Sequence, residues 1–567
     1  MKKTAAIGFA FTALLLSSAA VPAADYDVLI KGGTIYDGSG GAPFVGEIAI
    51  KGDKIVYVGP QAPGTTAKVV DATGEAVSPG FINMLSWANE DLIADGRGMS
   101  DTYQGVTLEV FGEGDSVGPL TPGMKRLELK RQTDIKYPIK WTTLGDYLNW
   151  LTRKGITPNV TSFIGATTVR VHELGEKDVD PTPAQLDRMR ALVRQAMKEG
   201  AVGVGSSLIY APATYAETPE LVALATEAAK CGGMYISHMR DEGPKLLEAI
   251  DELVTISRES GAPAEIYHYK QAGKSNWGKI DAAIARVEEA RAAGLRITAD
   301  MYTYAASSTG FDAAFPTWMQ DGGLEAWVKR LKDPKLREQA IAEMKGPKGT
   351  ENAKLVVDEP DKVLLVGFKT AKLKPLTGKT LAEVARMRGK SSAEVAADLI
   401  VEDGTRIQVV YFSMNPDNVK REVALPWMSF GSDAGSQAPE GVFLKSSTHP
   451  RAYGNVARLL GHFVRDEKAT TLASAIHRLS WLPATNLGIR GRGALRQGYY
   501  ADVVVFDPAK VRDNGTFDKP QQLASGVNDV FINGVQVLKG GKHTGAKPGR
   551  FVHGPGWIGW PDGGACK

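Results

Sequence analysis

The chain has 567 residues, 43% hydrophobic and 23% charged, which is the make-up of a globular protein long enough for more than one structural unit. Its formal charge is +3, and removing Lys2 and Lys3 with an N-terminal leader leaves 65 basic against 64 acidic residues. That balance gives no reason to expect nucleic acid as a partner.

The chain opens "MKKTAAIGFAFTALLLSSAAVPAADYD": a basic start, an apolar run, then small residues before a polar segment. This is the pattern of a secretory signal peptide over residues 1–23, cut after Ala23. The apolar run over residues 5–16 is short for a bilayer span, and no later stretch is long enough. The expectation is a periplasmic or secreted protein with no membrane span after cleavage. Cys231 and Cys566 are the only cysteines, so no disulfide framework is expected, and Cys231 in "LATEAAKCGGMY" reads as a small buried apolar residue.

After the leader, "YDVLIKGGTIYDGSG" and "GEIAIKGDKIVYVGP" alternate apolar and polar residues between glycine-rich turns, as antiparallel strands do. The same style returns near the C-terminus in "ADVVVFDPAKV" and "VNDVFINGVQVLKGGKHTG". Residues 26–78 and 485–553 are therefore expected to form one small β-sandwich domain from both chain ends. "PGFINMLSWANED" then turns into a short buried strand. Many metallohydrolases end such a strand in His-x-His, whereas here Leu85 and Trp87 hold those positions.

The centre changes rhythm. "TPAQLDRMRALVRQAMKEG" carries apolar residues at helical spacing and precedes the short strand "AVGVGSS". "TPELVALATEAAKCGG" before "MYISH", "KLLEAIDELVTISRESG" before "AEIYH", and "KIDAAIARVEEARAAG" before "LRITAD" repeat the order. The repeats predict a (β/α)8 barrel over residues 79–484. Residues 318–405 break the rhythm with charged helical segments and read as a helical insertion on one barrel loop.

Barrel enzymes place their chemistry at the C-terminal ends of the strands. That rule selects His238 in "MYISHMRDE", His268 in "AEIYHYKQAG" and Asp433 in "WMSFGSDAG", with Asp300, Tyr302 and Tyr304 from "LRITADMYTY" between them. Two histidines and a carboxylate converging on one rim suit a zinc site with a general base. His172, His462, His477, His543 and His553 lie in helical or loop contexts without such placement.

From residue 26 to residue 552 the chain resembles the N-acyl-D-amino-acid deacylases (D-aminoacylases) of the amidohydrolase superfamily. The resemblance rests on "PGFI", "TPELVALATEAAKCGGMYISHMRDE", "LLEAIDE", "YHYKQAG", "GSDAG", "THPRAYG", "LPATNLGIRGRGALRQGYYADVVVFDP" and "INGVQVLKGGKHTGAKPGR". It implies a (β/α)8 barrel with the composite β-domain, and hydrolysis of a linear amide in a small N-acyl amino acid. By the same resemblance His238 and His268 hold a zinc ion and Asp433 acts as general base and then general acid. Lys270 and Arg451 receive the substrate carboxylate, with Tyr302 or Tyr304 beside them. Leu85 and Trp87 cannot bind zinc, so one ion per chain is implied, with these two as an apolar wall beside it. The family's third ligand is a cysteine in a block matching "QGVTLEVFGEGDSVGPL", where its position falls on Gly114. Glu113 is the expected replacement, with Glu109 or Asp115 as alternatives. The competing readings are a non-catalytic relative that binds a ligand or protein, and a hydrolase of dipeptides or cyclic amides. The oligomeric state is not legible.

Overall fold

In the computed structural model, residues 25–66 and 68–566 are described; the signal peptide expected over residues 1–23 lies outside them. The first unit grows from both chain ends. Val28–Ile35, Phe44–Lys51, Lys54–Gly59, Val69–Asp71 and Ala76–Pro79 share one nine-stranded sheet with Val503–Phe506, Val527–Ile532, Val535–Lys539 and Lys542–His543. The seam between the ends is Val503–Phe506, antiparallel to Ala76–Pro79 with Val503 opposite Pro79 and Phe506 opposite Ala76. Alternating Ile and Val side chains explain the join: Ile30, Ile48, Ile50, Val77, Val503, Val505 and Phe531 bury together.

The sheet hands the chain directly to the barrel through Gly80. A Cβ there would sit 2.1 Å from Thr107 Oγ1, so the close approach of the first two barrel strands demands glycine. The barrel strands are Phe81–Asn83, Val106–Phe111, Asn159–Ser162 continuing as Ile164–Gly165, Gly203–Ser207, Met234–His238, Ala264–Ile266, Ile297–Met301 and Met428–Phe430. Neighbours pair in parallel in this order. Met84 N donates to Phe430 O at 3.1 Å and Asp433 N to Leu85 O at 2.9 Å, which joins the last strand to the first. Helices with strong sequence signals space the strands. Pro183–Glu199 begins with a Thr182/Gln185 capping box and ends at left-handed Gly200. The interior is filled by Ile82, Met84, Leu85, Leu108, Val110, Phe163, Met234 and Ile236. Leu85 is thus core packing inside the barrel and not a wall of the site.

The interruption of the barrel rhythm is wider than residues 318–405 and is not only helical. Ser307–Gly310, Gln408–Tyr411 and Val363–Leu365 form an antiparallel sheet, and the pairing of Ser307 with Tyr411 draws the two ends of the segment together at its root. Leu324–Leu331, Pro334–Lys345, Glu351–Asp358, Leu381–Arg388 and Ser392–Asp403 pack on it around Phe311, Trp327, Met344, Val356, Val395 and Leu399. The three strands escaped detection because each has only three or four residues and lacks a tight turn to its partner.

The cysteine expectation is overturned. Cys231 and Cys566 form a disulfide that ties the end of the Thr218–Lys230 helix to the chain's C-terminal segment. Their separation of 335 residues gave no local spacing to read. Among the described residues no helix is long and apolar enough to cross a membrane.

Candidate metal centre

Four side chains reach the barrel's C-terminal rim from four strands. His238 ends Met234–His238, while Glu113 lies two residues beyond Val106–Phe111. His268 and Asp433 follow Ala264–Ile266 and Met428–Phe430 and have left-handed backbones, with φ of 34° and 49°. That conformation costs a non-glycine residue about 1–2 kcal/mol, so each corner needs an anchor. His268 N donates to Asp300 Oδ1 at 2.9 Å, and Asp433 is tied by its bond to Leu85. Asp300 is therefore a brace behind the site rather than part of it.

Gly114, where the family pattern places cysteine, has φ of 73°, and a Cβ there would lie 2.3 Å from Ser207 Oγ. The chain can carry no side chain at that point, and the preceding Glu113 supplies the carboxylate instead. Ser207 Oγ donates to Glu113 O at 2.9 Å and holds the loop.

Glu113 Oε1 lies 2.9 Å from both His238 Nδ1 and His268 Nε2, and the three side chains are buried. Their ligand atoms all lie within 4.8 Å of one another, a grouping that could hold a metal ion. The far nitrogens of both imidazoles face a second buried carboxylate. Glu242 Oε1 is 3.0 Å from His268 Nδ1, and Oε2 is 3.7 Å from His238 Nε2, which has no hydrogen-bond partner. This donor set fits a cation. His238 Nδ1, His268 Nε2 and Glu113 Oε1 converge on one point, and the Glu242 carboxylate stands behind both imidazoles.

The charges balance locally. Burial opposes ionisation of Glu113, but His268 and His238 hold its carboxyl well below the usual range. Glu242 is also held low, with Lys270 and both histidines outweighing burial. Burial and Lys270 disfavour the His268 cation, yet Glu242 and Glu113 raise the group to about 10. His238 moves down, chiefly through burial. Burial pushes Asp433 up despite Arg451.

The remaining sequence candidates divide. Arg451 Nη2 lies 2.8 Å from Asp433 Oδ2, with its guanidinium 4.4 Å from the centre of the Tyr302 ring. Tyr302 is a buried wall between His268 and His449. Lys270 reaches the centre but is engaged there, 2.5 Å from Glu242 Oε1 and 2.8 Å from His268 Nδ1. Tyr304 is turned away, its hydroxyl donating to Asp513 at 3.0 Å. Neither alternative third ligand joins the cluster. Asp115 is exposed on the loop, and Glu109 accepts from Asn83 Nδ2 at 3.0 Å on the helix-facing side of its strand.

Two participants were missed and a third was read as a wall only. Glu242 stands four residues after His238 in "SHMRDE", where the need of buried Lys270 for a counter-ion could have marked it. His449 in "THPR" accepts from Arg451 N at 3.0 Å and faces Ala306 O, which sets the start of the Arg451–Arg458 helix. Trp87 is more than an apolar surface: its indole N–H lies 3.0 Å from Glu113 Oε2 and 3.1 Å from Asp433 Oδ1.

An eight-stranded parallel barrel with a histidine–carboxylate cluster at its C-terminal rim, carrying a sheet domain from both chain ends, defines the class of metal-dependent amidohydrolases. The family model described as Amidohydrolase family matches residues 68–538, and the chain belongs to the amidohydrolase family. It is 30% identical over 532 residues to a D-aminoacylase of Alcaligenes xylosoxydans xylosoxydans, covering 93% of this chain and 97% of that one. It is also 30% identical to an N-acyl-D-aspartate deacylase of the same organism, covering 93% and 95%. The solved N-acyl-D-glutamate deacylase of Bordetella bronchiseptica, complexed with zinc and a phosphonate mimic of the tetrahedral intermediate, superposes with a TM-score of 0.75 at 26% identity, over 93% of this chain and 99% of that one.

Proposed function

We propose that the protein hydrolyses N-acyl-D-amino acids to a carboxylate and a D-amino acid, with one zinc ion held by His238, His268 and Glu113. The observation that carries the reading is the convergence of these three ligand atoms beside Asp433 at the rim of the barrel. The deacylase activities of the relatives supply the substrate class. A solved D-aminoacylase of TM-score 0.76 and 28% identity has a binuclear metal centre with one-metal activation and second-metal attenuation, which supports a reading in which one ion suffices.

When bound, zinc polarises the amide carbonyl and lowers the pKa of the attacking water. Asp433 takes the proton from that water and delivers it to the amide nitrogen as the C–N bond breaks. Arg451 and Trp87 hold the two oxygens of Asp433 in place for both transfers. Among the described residues Arg451 Nε and Nη1 are buried without partners, and Nη1 is a donor that a substrate α-carboxylate would satisfy. Tyr302 supports the guanidinium from below. Lys270 adds positive charge behind His268, and its ion pair with Glu242 steadies both histidines, so Arg451 is the principal carboxylate anchor. We place this activity outside the cytoplasm, a reading supported by the leader sequence and by the Cys231–Cys566 disulfide.

Metal content of the purified mature protein tests the reading. We expect about one zinc per chain in the wild type, and little in Glu113→Ala or His268→Ala. A wild type that takes up no zinc when supplied with it would leave a non-catalytic binding protein as the better account.

A further inference from the structure

We infer that Trp87 is a positioning residue that takes the place of a second cation: its indole N–H bridges the ligand carboxylate of Glu113 and the proton-carrying carboxylate of Asp433. The inference rests on the one-zinc reading above and adds to it a donor placed between the ligand carboxylate and the proton-carrying carboxylate.

Glu113 and Asp433 come from loops after different barrel strands, and both point to the rim. Two carboxylates brought this close repel one another unless a positive group or a donor stands between them. Each has one oxygen committed elsewhere. Glu113 Oε1 faces the two imidazoles, and Asp433 Oδ2 faces Arg451. The inner oxygens, Glu113 Oε2 and Asp433 Oδ1, both face Trp87 Nε1, at 3.0 and 3.1 Å. One N–H is thereby shared between two acceptors.

The indole is itself well anchored. Trp87 N donates to Ala434 O at 2.9 Å, and Ser86 forms a parallel bridge with Ala434, the residue after Asp433. The backbone that carries the donor is thus fastened to the backbone that carries one of its acceptors. A donor that orients a ligating carboxylate and excludes its second oxygen from the metal keeps Glu113 monodentate, so the fourth position stays open for water. The residue is 39% exposed, so its side chain can be replaced without opening the core.

The test compares wild type, Trp87→Phe and Trp87→Gln by zinc affinity in competition with a chelator, and by kcat and KM at saturating zinc on an N-acyl-D-amino acid. Phenylalanine keeps an aromatic ring without the donor, and glutamine keeps an N–H at similar reach without the ring. Thermal unfolding of the metal-free proteins checks that all three fold. We expect Trp87→Phe to bind zinc about 10–100-fold more weakly and to lose kcat with KM little changed, while Trp87→Gln recovers much of both. Wild-type affinity and kcat in Trp87→Phe would overturn the inference and leave the zinc reading intact. Equal loss in both variants would also overturn it, because ring bulk and not the shared N–H would then be responsible. A wild type that binds no zinc would remove the metal centre and this inference together.

Discussion

Asp433 shows how much of the site depends on one corner. Its backbone is left-handed, its amide is tied to Leu85, and its two oxygens are held by Arg451 and Trp87. A carboxylate so restrained can carry a proton between two fixed points without first reorienting, which is what general acid–base catalysis requires. Asp433→Asn keeps the shape but can accept from only one of its two neighbours, Arg451 or Trp87, and cannot take up the proton. The expected result is a fall in kcat of about 10²–10⁴-fold with zinc content unchanged, read by turnover and metal analysis on the same preparation. Loss of zinc along with activity would instead make Asp433 a ligand.

At the scale of elements, each barrel strand divides its residues between two layers. On Val106–Phe111, Leu108 and Val110 fill the barrel, while Glu109 turns outward against the helices, near Asp101 and Asp91. Burial raises all three acids, Glu109 to about 7. Its folded value lies above the ordinary 4.5, so between the two the folded chain holds a proton that the unfolded chain has released. The stability this supplies is complete below the ordinary value and is lost as pH rises through about 7. Glu109→Gln cannot ionise, so its melting temperature relative to wild type should rise between about pH 5 and about pH 8. A constant difference across that range, measured by calorimetry, would show that the Glu109 carboxyl is not the group responsible.

At the scale of the whole molecule, the sheet domain, barrel and inserted segment are one chain passing repeatedly between layers. The Cys231–Cys566 disulfide closes a separation of 335 residues and pins the last segment to the barrel's helical shell. A link over so long a loop removes much freedom from the unfolded chain, and losing a native disulfide commonly costs about 2–5 kcal/mol, though that range comes mainly from smaller domains. Cys566→Ser should therefore unfold at lower denaturant concentration while still binding zinc, because the link lies away from the rim. Wild type in reductant should behave in the same way; unchanged unfolding in both would mean that the link adds nothing to stability.

The parts legible in the sequence are those decided by local periodicity and by chemistry placed at strand ends. Helix–strand repeats announced the barrel, alternating strands at both ends announced the shared sheet, the rule that barrels keep their chemistry at one rim pointed to His238, His268 and Asp433, and the family pattern alone pointed to Glu113, which the structure groups with the two histidines. The tertiary structure decided what depends on neighbours remote in the chain. It turned Glu109 outward, filled the barrel with Leu85, sent Tyr304 to Asp513, paired two cysteines 335 residues apart, and brought Trp87, Glu242 and His449 to the centre. The reason is physical. A strand or helix repeats within a few residues and leaves its period in the sequence, whereas which donor meets which acceptor across the barrel is set only when packing closes the ring.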